Sequence, residues 1–436
     1  MHKQRQGVFH QILHSQRKDS ISAKFELKKS LRNSRYYLER MTLWTYSDTQ
    51  SGRINSLSWS TDGQLILSAS KGKHLSIMNP FTGAINQFRS MKSNVLCARF
   101  LPLATNSQVV ASTDDGSVMY YDLNASTEEG RSPTIFNCHE QCYIHQVLVI
   151  PSLPHVFFSG SLDSTVRIFD VRHKPHCHHA HDMDNIIIKM PEGITAMSLG
   201  SVSQNYIAVG GEAGCVRIYD LRNTKLRRSL TVPVTELNVP PENKSPPDTV
   251  TSLAYDQYEK YLLTNYFNSD VYLFDVEKTN DSNAHCNKHM EQIEVEAAVI
   301  AANRLEQESD SSDSSEGYEE AITTKPCLGE QNNPNPSVYI EHQYRCTIPD
   351  TYFRDVVFWG DNHILGGSNN TTVHIWDRHT TEHIALLQDV TSPIKCVAPH
   401  PSDPILATAG TDSVVRFWMP LAEKSYAENL QCGEEP

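Results

Sequence analysis

The chain has 436 residues, of which 39% are hydrophobic, and its formal net charge is −13. That length is enough for one large core or for two domains. Nowhere do ~18–20 consecutive apolar residues occur, as a membrane-spanning helix requires, so no membrane partner is expected. The acidic balance also argues against direct nucleic-acid binding, because phosphate backbones need clustered cations.

The ten cysteines do not have the spacing of a disulfide framework. Cys97, Cys215 and Cys396 fall in strand-like runs, where a thiol packs as a small hydrophobic group. The basic N-terminal segment lacks the apolar centre of a secretory signal. We therefore expect a reducing, intracellular location, in the nucleus and/or the cytoplasm.

Residues 1–40 form a basic arm, with ten Lys or Arg and three Asp or Glu, a net charge of +7. Apolar pairs at helical spacing predict a short amphipathic helix containing Val8, Phe9, Ile12 and Leu13. A second helix is predicted from about Phe25 to Tyr37. The charge of such an arm by itself is compatible with RNA, a membrane surface or a protein partner, and of these we expect a protein.

A strand is predicted at residues 41–46, where the residues alternate in polarity, and a repeated pattern follows. Six apolar runs end in an aromatic or aliphatic residue followed by Asp or a substitute for it, and a seventh ends in Trp418-Met419. The six endings are Met78-Asn79, Tyr121-Asp122, Phe169-Asp170, Tyr219-Asp220, Phe274-Asp275 and Trp376-Asp377. A period of ~40–45 residues with Trp-Asp-type endings is typical of WD40 propeller blades.

Each repeat supplies three strands before its closing residue, and a fourth, outer strand follows, for example at Ala84–Phe88 and His383–Leu387. The seventh repeat is followed by Pro420 and a polar tail, so the strand at residues 41–46 is available to complete it. The sequence thus predicts an all-β, seven-bladed WD40 propeller over residues 41–420, with a helical arm at 1–40 and a flexible tail at 421–436.

One long insertion, residues 278–336, interrupts the period between the fifth repeat and an outer strand expected at Val338–Ile340. Its centre, residues 309–320, consists mainly of Ser, Asp and Glu. Low hydrophobicity and like charge predict disorder, because little burial offsets the entropy of ordering. Serines beside acidic residues are candidate kinase sites, and a solvated spacer is the alternative.

Several groups of residues have side chains of the kinds found in catalytic or metal sites, but their positions favour a structural role. The turn residues Asp115, Asp163 and Asp412 are expected to hold blade turns through hydrogen bonds. The histidine-rich run at residues 173–181 has zinc-ligand chemistry but not the spacing of a zinc site, so no metal is expected. No nucleotide-binding loop, metalloprotease motif or nucleophile elbow is present. A Cys–His pair at residues 138–142 is not expected to be catalytic, and we predict a non-enzyme without a cofactor.

Two repeat endings are followed by arginine, in Asp170-Val171-Arg172 and Asp220-Leu221-Arg222. The blades are consecutive, so both arginines are expected to emerge side by side on one face. An arginine there can bind a partner's carboxylate in a bidentate manner. The alternative is an ordinary surface pair with its own Asp. In the sixth repeat Arg378 follows Asp377 directly and breaks the pattern.

The paired Asp-x-Arg endings, with a basic helical arm before the propeller, resemble the WD40 substrate receptors of the cullin-4 ubiquitin ligases. Within them, the chain is most similar to the nuclear-receptor-interaction and adipose-protein branch. The segments that carry this resemblance are residues 93–102, 270–275, 375–383 and 399–407. The resemblance extends over about residues 30–425. The calmodulin-binding, nuclear-receptor-box and tetratricopeptide motifs of that branch do not occur in this sequence, so partners that depend on them are not expected.

The resemblance implies that the arm, including Val8, Phe9, Ile12 and Leu13, and the endings Asp170/Arg172 and Asp220/Arg222 bind the damaged-DNA-binding adaptor of the ligase. The free face would then hold a target protein for ubiquitination, whose identity the sequence does not give. Two alternatives remain open. One is a scaffold or transcriptional co-regulator without a ubiquitin role, and the other is a histone or phosphopeptide reader with an aromatic cage or a cationic ring at the channel mouth.

Overall fold

The computed structural model describes residues 28–48, 52–89, 93–102, 106–124, 133–139, 141–173, 185–223, 231–239, 249–279, 338–345, 351–388 and 391–420. Within these ranges the chain forms seven four-stranded antiparallel sheets. The first strand of each sheet contacts the first strands of its two neighbours, so the sheets close into a ring around a central channel. The prediction of an all-β, seven-bladed propeller is confirmed.

The arm contains helix α1 (Arg35–Leu38), which is followed by strand β1 (Met41–Asp48). Blade one contains β2 (Ile54–Trp59), β3 (Ile66–Ser70), β4 (His74–Met78) and β5 (Ile85–Arg89). Blade two contains β6 (Val95–Phe100), β7 (Gln108–Thr113), β8 (Val118–Asp122) and β9 (Thr134–Phe136). Blade three contains β10 (Ile144–Ile150), β11 (Leu153–Ser161), β12 (Thr165–Asp170) and β13 (Ile186–Lys189).

Blade four contains β14 (Ile194–Leu199), β15 (Tyr206–Gly211), β16 (Val216–Asp220) and β17 (Thr235–Leu237). Blade five contains β18 (Val250–Tyr255), β19 (Tyr261–Tyr266), β20 (Val271–Asp275) and β21 (Ile340–Tyr344). Blade six contains β22 (Phe353–Trp359), β23 (His363–Ser368), β24 (Val373–Asp377) and β25 (His383–Leu387). Blade seven contains β26 (Ile394–Pro399), β27 (Leu406–Gly410) and β28 (Val414–Pro420).

Strand β1 completes blade seven, as the sequence predicts. It pairs antiparallel with β28, from Met41 opposite Pro420 to Asp48 opposite Val414. The blade thus combines strands from both ends of the propeller and leaves no open edge beside β28. Such closure protects the sheet from edge-to-edge association.

Several predicted boundaries are wrong. The outer strand of blade five begins at Ile340 rather than Val338, because its register places Ile340 opposite Phe274 and Tyr344 opposite Val271. The predicted helix over Phe25–Tyr37 is interrupted after residue 32, since Ser34 adopts an extended conformation before α1. Outer strand β5 begins one residue later than expected, whereas β25 has the predicted bounds.

The hydrophobic core lies between neighbouring blades. Between blades four and five, for example, Val216 and Ile218 pack with Leu262 and Phe274, all almost fully buried. Three tryptophans, Trp359, Trp376 and Trp418, are also fully buried. Burial of each such side chain stabilises the fold by about 1.5–3 kcal/mol, so each blade depends on both neighbours.

Among the described residues, Cys97, Cys215 and Cys396 are free thiols. Cys138, by contrast, is fully buried and disulfide-bonded, which the cysteine spacing does not predict. Within the same ranges, the chain has no helix of the length and hydrophobicity needed to cross a membrane.

Candidate functional site

The propeller has two ends, which we name by what they carry. In each blade the first and third strands run in the same direction, so both end at the same face of the propeller. The turns between first and second strands lie at that face too. We call this the arm face. The opposite end, where the first strands begin, we call the mouth face, because the central channel opens there into a cavity.

The arm packs on the turns of blades five, six and seven. Lys28 forms an ion pair with Asp403, with Nζ 2.7 Å from Oδ1. The carbonyl of Arg32 accepts a 2.7 Å hydrogen bond from Nε1 of the buried Trp359. These contacts fix residues 28–38 on the arm face. The predicted binding residues Val8, Phe9, Ile12 and Leu13 lie outside the described residues.

Asn33 attaches the arm to blade six. Its side-chain amide donates to Asp361 Oδ2 at 2.9 Å and accepts from the Asp361 N–H at 2.8 Å. The preceding residue, Gly360, has φ +59°. A Cβ at that position would lie 1.9 Å from Asn33 Oδ1. The turn therefore requires glycine both for its backbone conformation and for the close approach of the arm.

The two Asp-x-Arg endings lie on the arm face, at the ends of β12 and β16. Arg172 donates to Asp170 through its backbone N–H at 3.0 Å and through Nε and Nη2 at 2.9 and 2.5 Å. Arg222 makes the same contacts with Asp220 at 2.9, 3.0 and 2.7 Å. Each arginine is thus held by its own carboxylate, the arrangement expected of an ordinary surface pair.

Both guanidinium groups nevertheless stay accessible, because the side chains of Arg172 and Arg222 are 61% and 60% exposed. The hydrogen bonds from Arg172 lower the pKa of Asp170 to about 2. The carboxylates therefore remain charged at neutral pH and fix the direction of the arginines. Two oriented cations on consecutive blades can donate to an acidic partner surface.

Arg378, which breaks the pattern in blade six, has a different environment. Its side chain is only 7% exposed, and Nη2 donates to Asp256 Oδ2 at 3.1 Å. Its guanidinium also lies 4.5 Å from the ring centre of Tyr261 and 5.0 Å from that of Phe358. This arginine joins blades five and six from within, and it is not available to a partner.

The turn aspartates hold blade turns together. Asp163 accepts from the Thr165 N–H at 3.0 Å, and its other oxygen lies 2.7 Å from Nδ1 of His139. Nε2 of the buried His139 lies 2.6 Å from Ser159 Oγ. Asp115 accepts from Thr113 and Ser117, and Asp412 from Arg416 and Val414.

Each of the three carboxylates thus accepts hydrogen bonds from residues of its own blade or of the adjoining loop, so we interpret the three aspartates as structural. The histidine-rich run at residues 173–181 lies outside the described residues except for His173, which is exposed near Asp170. In the ranges that the structure describes, no group of three His, Cys, Asp or Glu residues is placed to hold a metal ion.

A ring of side chains at the mouth face is a feature that sequence reasoning missed. In all seven blades the register shifts after the first residue of the first strand, so that the second residue has no partner. Such β-bulges re-aim side chains. The seven bulged residues all line the cavity: Asn55, Leu96, His145, Thr195, Thr251, Arg354 and Lys395.

The cavity has a volume of about 640 Å³ and a cationic lining. Five of its residues are Lys or Arg, namely Arg53, Lys71, Arg99, Arg354 and Lys395, and two are acidic, Asp114 and Asp355. The lining of the cavity is therefore positively charged, although the chain as a whole has a net charge of −13.

Comparison with known proteins agrees with the repeat pattern. The family model described as WD domain, G-beta repeat matches residues 41–78, 130–170 and 382–419. The chain carries WD40 repeats. It is homologous to DDB1- and CUL4-associated factor 6 of Homo sapiens, with 29% identity over 282 residues. This match covers 62% of the chain and 32% of the human protein.

Two further relatives are more distant. WD repeat protein iqw1 of Schizosaccharomyces pombe is 27% identical over 190 residues, covering 40% of this chain and 23% of the yeast protein. WD and tetratricopeptide repeats protein 1 of Mus musculus is 24% identical over 189 residues, covering 43% and 27%. The resemblance inferred from sequence motifs is thus confirmed at the level of homology. The chain spans about a third or less of the length of each relative.

Proposed function

We propose that this chain is a substrate receptor of a cullin-4 ubiquitin ligase, which docks on the DDB1-type adaptor through its arm face and presents target proteins. The observation that carries the proposal is the shared position of the arm and the two exposed Asp–Arg pairs. Residues 28–38 cover the turns of blades five to seven, and Arg172 and Arg222 extend the same face to blades three and four.

Homology to DDB1- and CUL4-associated factor 6 supports the same assignment. The chain performs no bond-making step in this scheme. It raises the effective concentration of a target's lysines near the ubiquitin-conjugating enzyme, which increases the rate without a catalytic residue of its own.

Adaptor capture by purified variants tests the proposal. We expect the double variant Arg172→Ala/Arg222→Ala to bind the adaptor at least about tenfold more weakly, because interface arginines are frequent hot spots. Arg345→Ala is the matched control, since Arg345 is 64% exposed and pairs with Asp270 at the mouth face. A variant lacking residues 1–27 tests the remaining part of the arm, including Val8, Phe9, Ile12 and Leu13.

Wild-type capture by the double variant would exclude Arg172 and Arg222 as docking residues. If the unmodified chain failed to capture an adaptor that a known receptor binds under the same conditions, the receptor function itself would be wrong. A scaffold or co-regulator without a ubiquitin role would then be the better hypothesis.

A further inference from the structure

Positive charge at the mouth face is concentrated on one side of the channel. Arg53 and Lys71 come from blade one, Arg354 from blade six and Lys395 from blade seven. These three blades are consecutive in the closed ring, since β26 contacts both β22 and β2. Among the described residues, no carboxylate forms an ion pair with any of the four.

The backbone and neighbouring side chains hold these cations together. The Lys71 N–H donates to the Arg53 carbonyl at 2.9 Å, so the two residues are adjacent across the strand pair. Lys395 is half-buried, and its Nζ donates to Asn55 Oδ1 at 3.0 Å. Burial lowers the pKa of Lys395, and the charges of Arg53, Arg354 and Lys71 lower it further. Mutual repulsion of this kind is relieved when an anion binds.

Two aromatic residues at the mouth, Phe267 and Tyr352, already interact with a cation of the chain. The guanidinium of Arg354 lies 5.3 Å from the ring centres of both Phe267 and Tyr352. Their faces are thus already occupied by a cation of the chain itself. An aromatic cage for methylated lysine needs several open ring faces, and Tyr143 is the only other Phe, Tyr or Trp among the described residues that line the cavity, so a methyl-lysine reader is not supported here.

The two carboxylates that line the cavity already have donors of their own. Asp114 accepts from the N–H and the side-chain amide of Asn94 at 3.0 and 2.6 Å. Asp355 accepts from the Val397 N–H at 2.9 Å and from Ser252 Oγ at 3.0 Å. Neither carboxylate therefore neutralises the four cations, which remain available to an external anion.

We propose that the mouth of the channel binds a phosphorylated serine or threonine within an acidic peptide, held by Arg53, Lys71, Arg354 and Lys395. A phosphate monoester carries a charge of about −1.5 to −2 and three acceptor oxygens, which matches several converging cations better than one carboxylate does. Nucleic acid is disfavoured, because it requires a row of cations along the surface of the protein rather than a cluster in one cavity.

Peptide binding itself does not depend on adaptor docking, because it occurs at the opposite face. Only the further step, that such peptides define the target class of a ligase receptor, rests on the function proposed above. The two hypotheses can therefore fail separately, and adaptor capture is measured on each variant of the mouth.

The experiment is fluorescence anisotropy with a labelled, short acidic peptide containing one phosphoserine, titrated with the full chain. We expect Arg53→Glu/Lys71→Glu to weaken binding by about tenfold or more. Lys73→Glu is the matched control, since Lys73 lies two residues away, is exposed and does not line the cavity. It should bind the peptide like the unmodified chain, and all variants should retain their melting temperature.

Three results would overturn the proposal. The first is equal binding of the unphosphorylated peptide, and the second is equal weakening by Lys73→Glu. The third is a preference for another phosphate source, inositol hexakisphosphate or a single-stranded oligonucleotide, each used as a competitor, with no saturable peptide binding. Selective binding of the phosphopeptide that depends on Arg53 and Lys71 would establish the site.

Discussion

Two sectors of the arm face use Asp–Arg pairs in opposite ways. On blades three and four, Arg172 and Arg222 pair with the aspartate two residues earlier and are more than half exposed. Between blades five and six, Arg378 reaches Asp256, 122 residues away, and both side chains are buried. The chemistry of the pair is the same, so burial alone decides what each pair does.

An exposed pair contributes little to stability, because water solvates its charges almost equally well in the folded and unfolded states. Its guanidinium consequently stays accessible to a partner's carboxylate while its own aspartate keeps it oriented. A buried pair has no such alternative, since removal of one charge leaves the other without solvation. The first kind is suited to docking and the second to holding two blades together.

The strongest test of this contrast is Asp256→Ala. We expect the free energy of unfolding to fall by about 3–5 kcal/mol, because the buried Arg378 guanidinium would lose its counter-charge. The backbone N–H groups of Lys260 and Tyr261, which donate to Asp256 at 2.8 and 3.0 Å, would lose their acceptor as well. Chemical denaturation measures the effect, and a loss below about 1 kcal/mol would contradict the assignment.

The second largest effect is expected at low pH, where the buried sector should lose stability while the exposed Asp–Arg pair persists. Burial lowers the pKa of both His363 and His374 in blade six to about 4. The unfolded chain would take up protons first as the pH falls below ~6.5, so stability should decrease between pH ~6.5 and ~4, by about 1 kcal/mol per pH unit and per histidine. Asp170, with a pKa of about 2, keeps its charge over this range, so the exposed pair persists.

Denaturation curves at several pH values check this expectation. His363→Leu should flatten the dependence, and it should cost little at neutral pH, because His363 Nδ1 is buried without a hydrogen-bond partner in the described part of the chain. An unchanged slope in that variant would mean that His363 does not titrate as proposed.

Gly360→Ala should affect the arm more than the blades. The new Cβ would collide with Asn33 Oδ1, and alanine at φ +59° costs about 1 kcal/mol in addition. We expect faster hydrogen exchange at residues 28–38. Gly83→Ala is the control, since Gly83 has φ +71° with no atom within 4 Å of the added Cβ. Equal exchange in both variants would show that strain alone, and not the arm contact, is responsible.

The smallest effect is expected for Asp170→Ala. Loss of this exposed pair should change the free energy of unfolding by less than about 1 kcal/mol. Adaptor capture should nevertheless weaken, because Arg172 would lose the carboxylate that directs it. Thermal melts and adaptor binding, measured together, separate the two effects, and a large loss of stability would contradict the contrast drawn above.

The sequence predicts much of the fold because each blade repeats a local signal. Endings such as Phe169-Asp170 mark third strands, and the unfilled place after Trp418 predicts the closing strand at Met41. The Asp256–Arg378 pair and the ring of bulged residues were not predictable in this way. Both depend on strand register and on contacts between distant segments, which no local pattern specifies.

Closure by β1 and β28 also has a consequence for biosynthesis. During translation β1 emerges early, whereas β28, at residues 414–420, follows only after six blades have been made. At ~5–20 residues per second, this delay is on the order of tens of seconds. For that time the nascent chain carries an unpaired β-strand, so the newly made protein should depend on a chaperone until the ribosome releases the last blade.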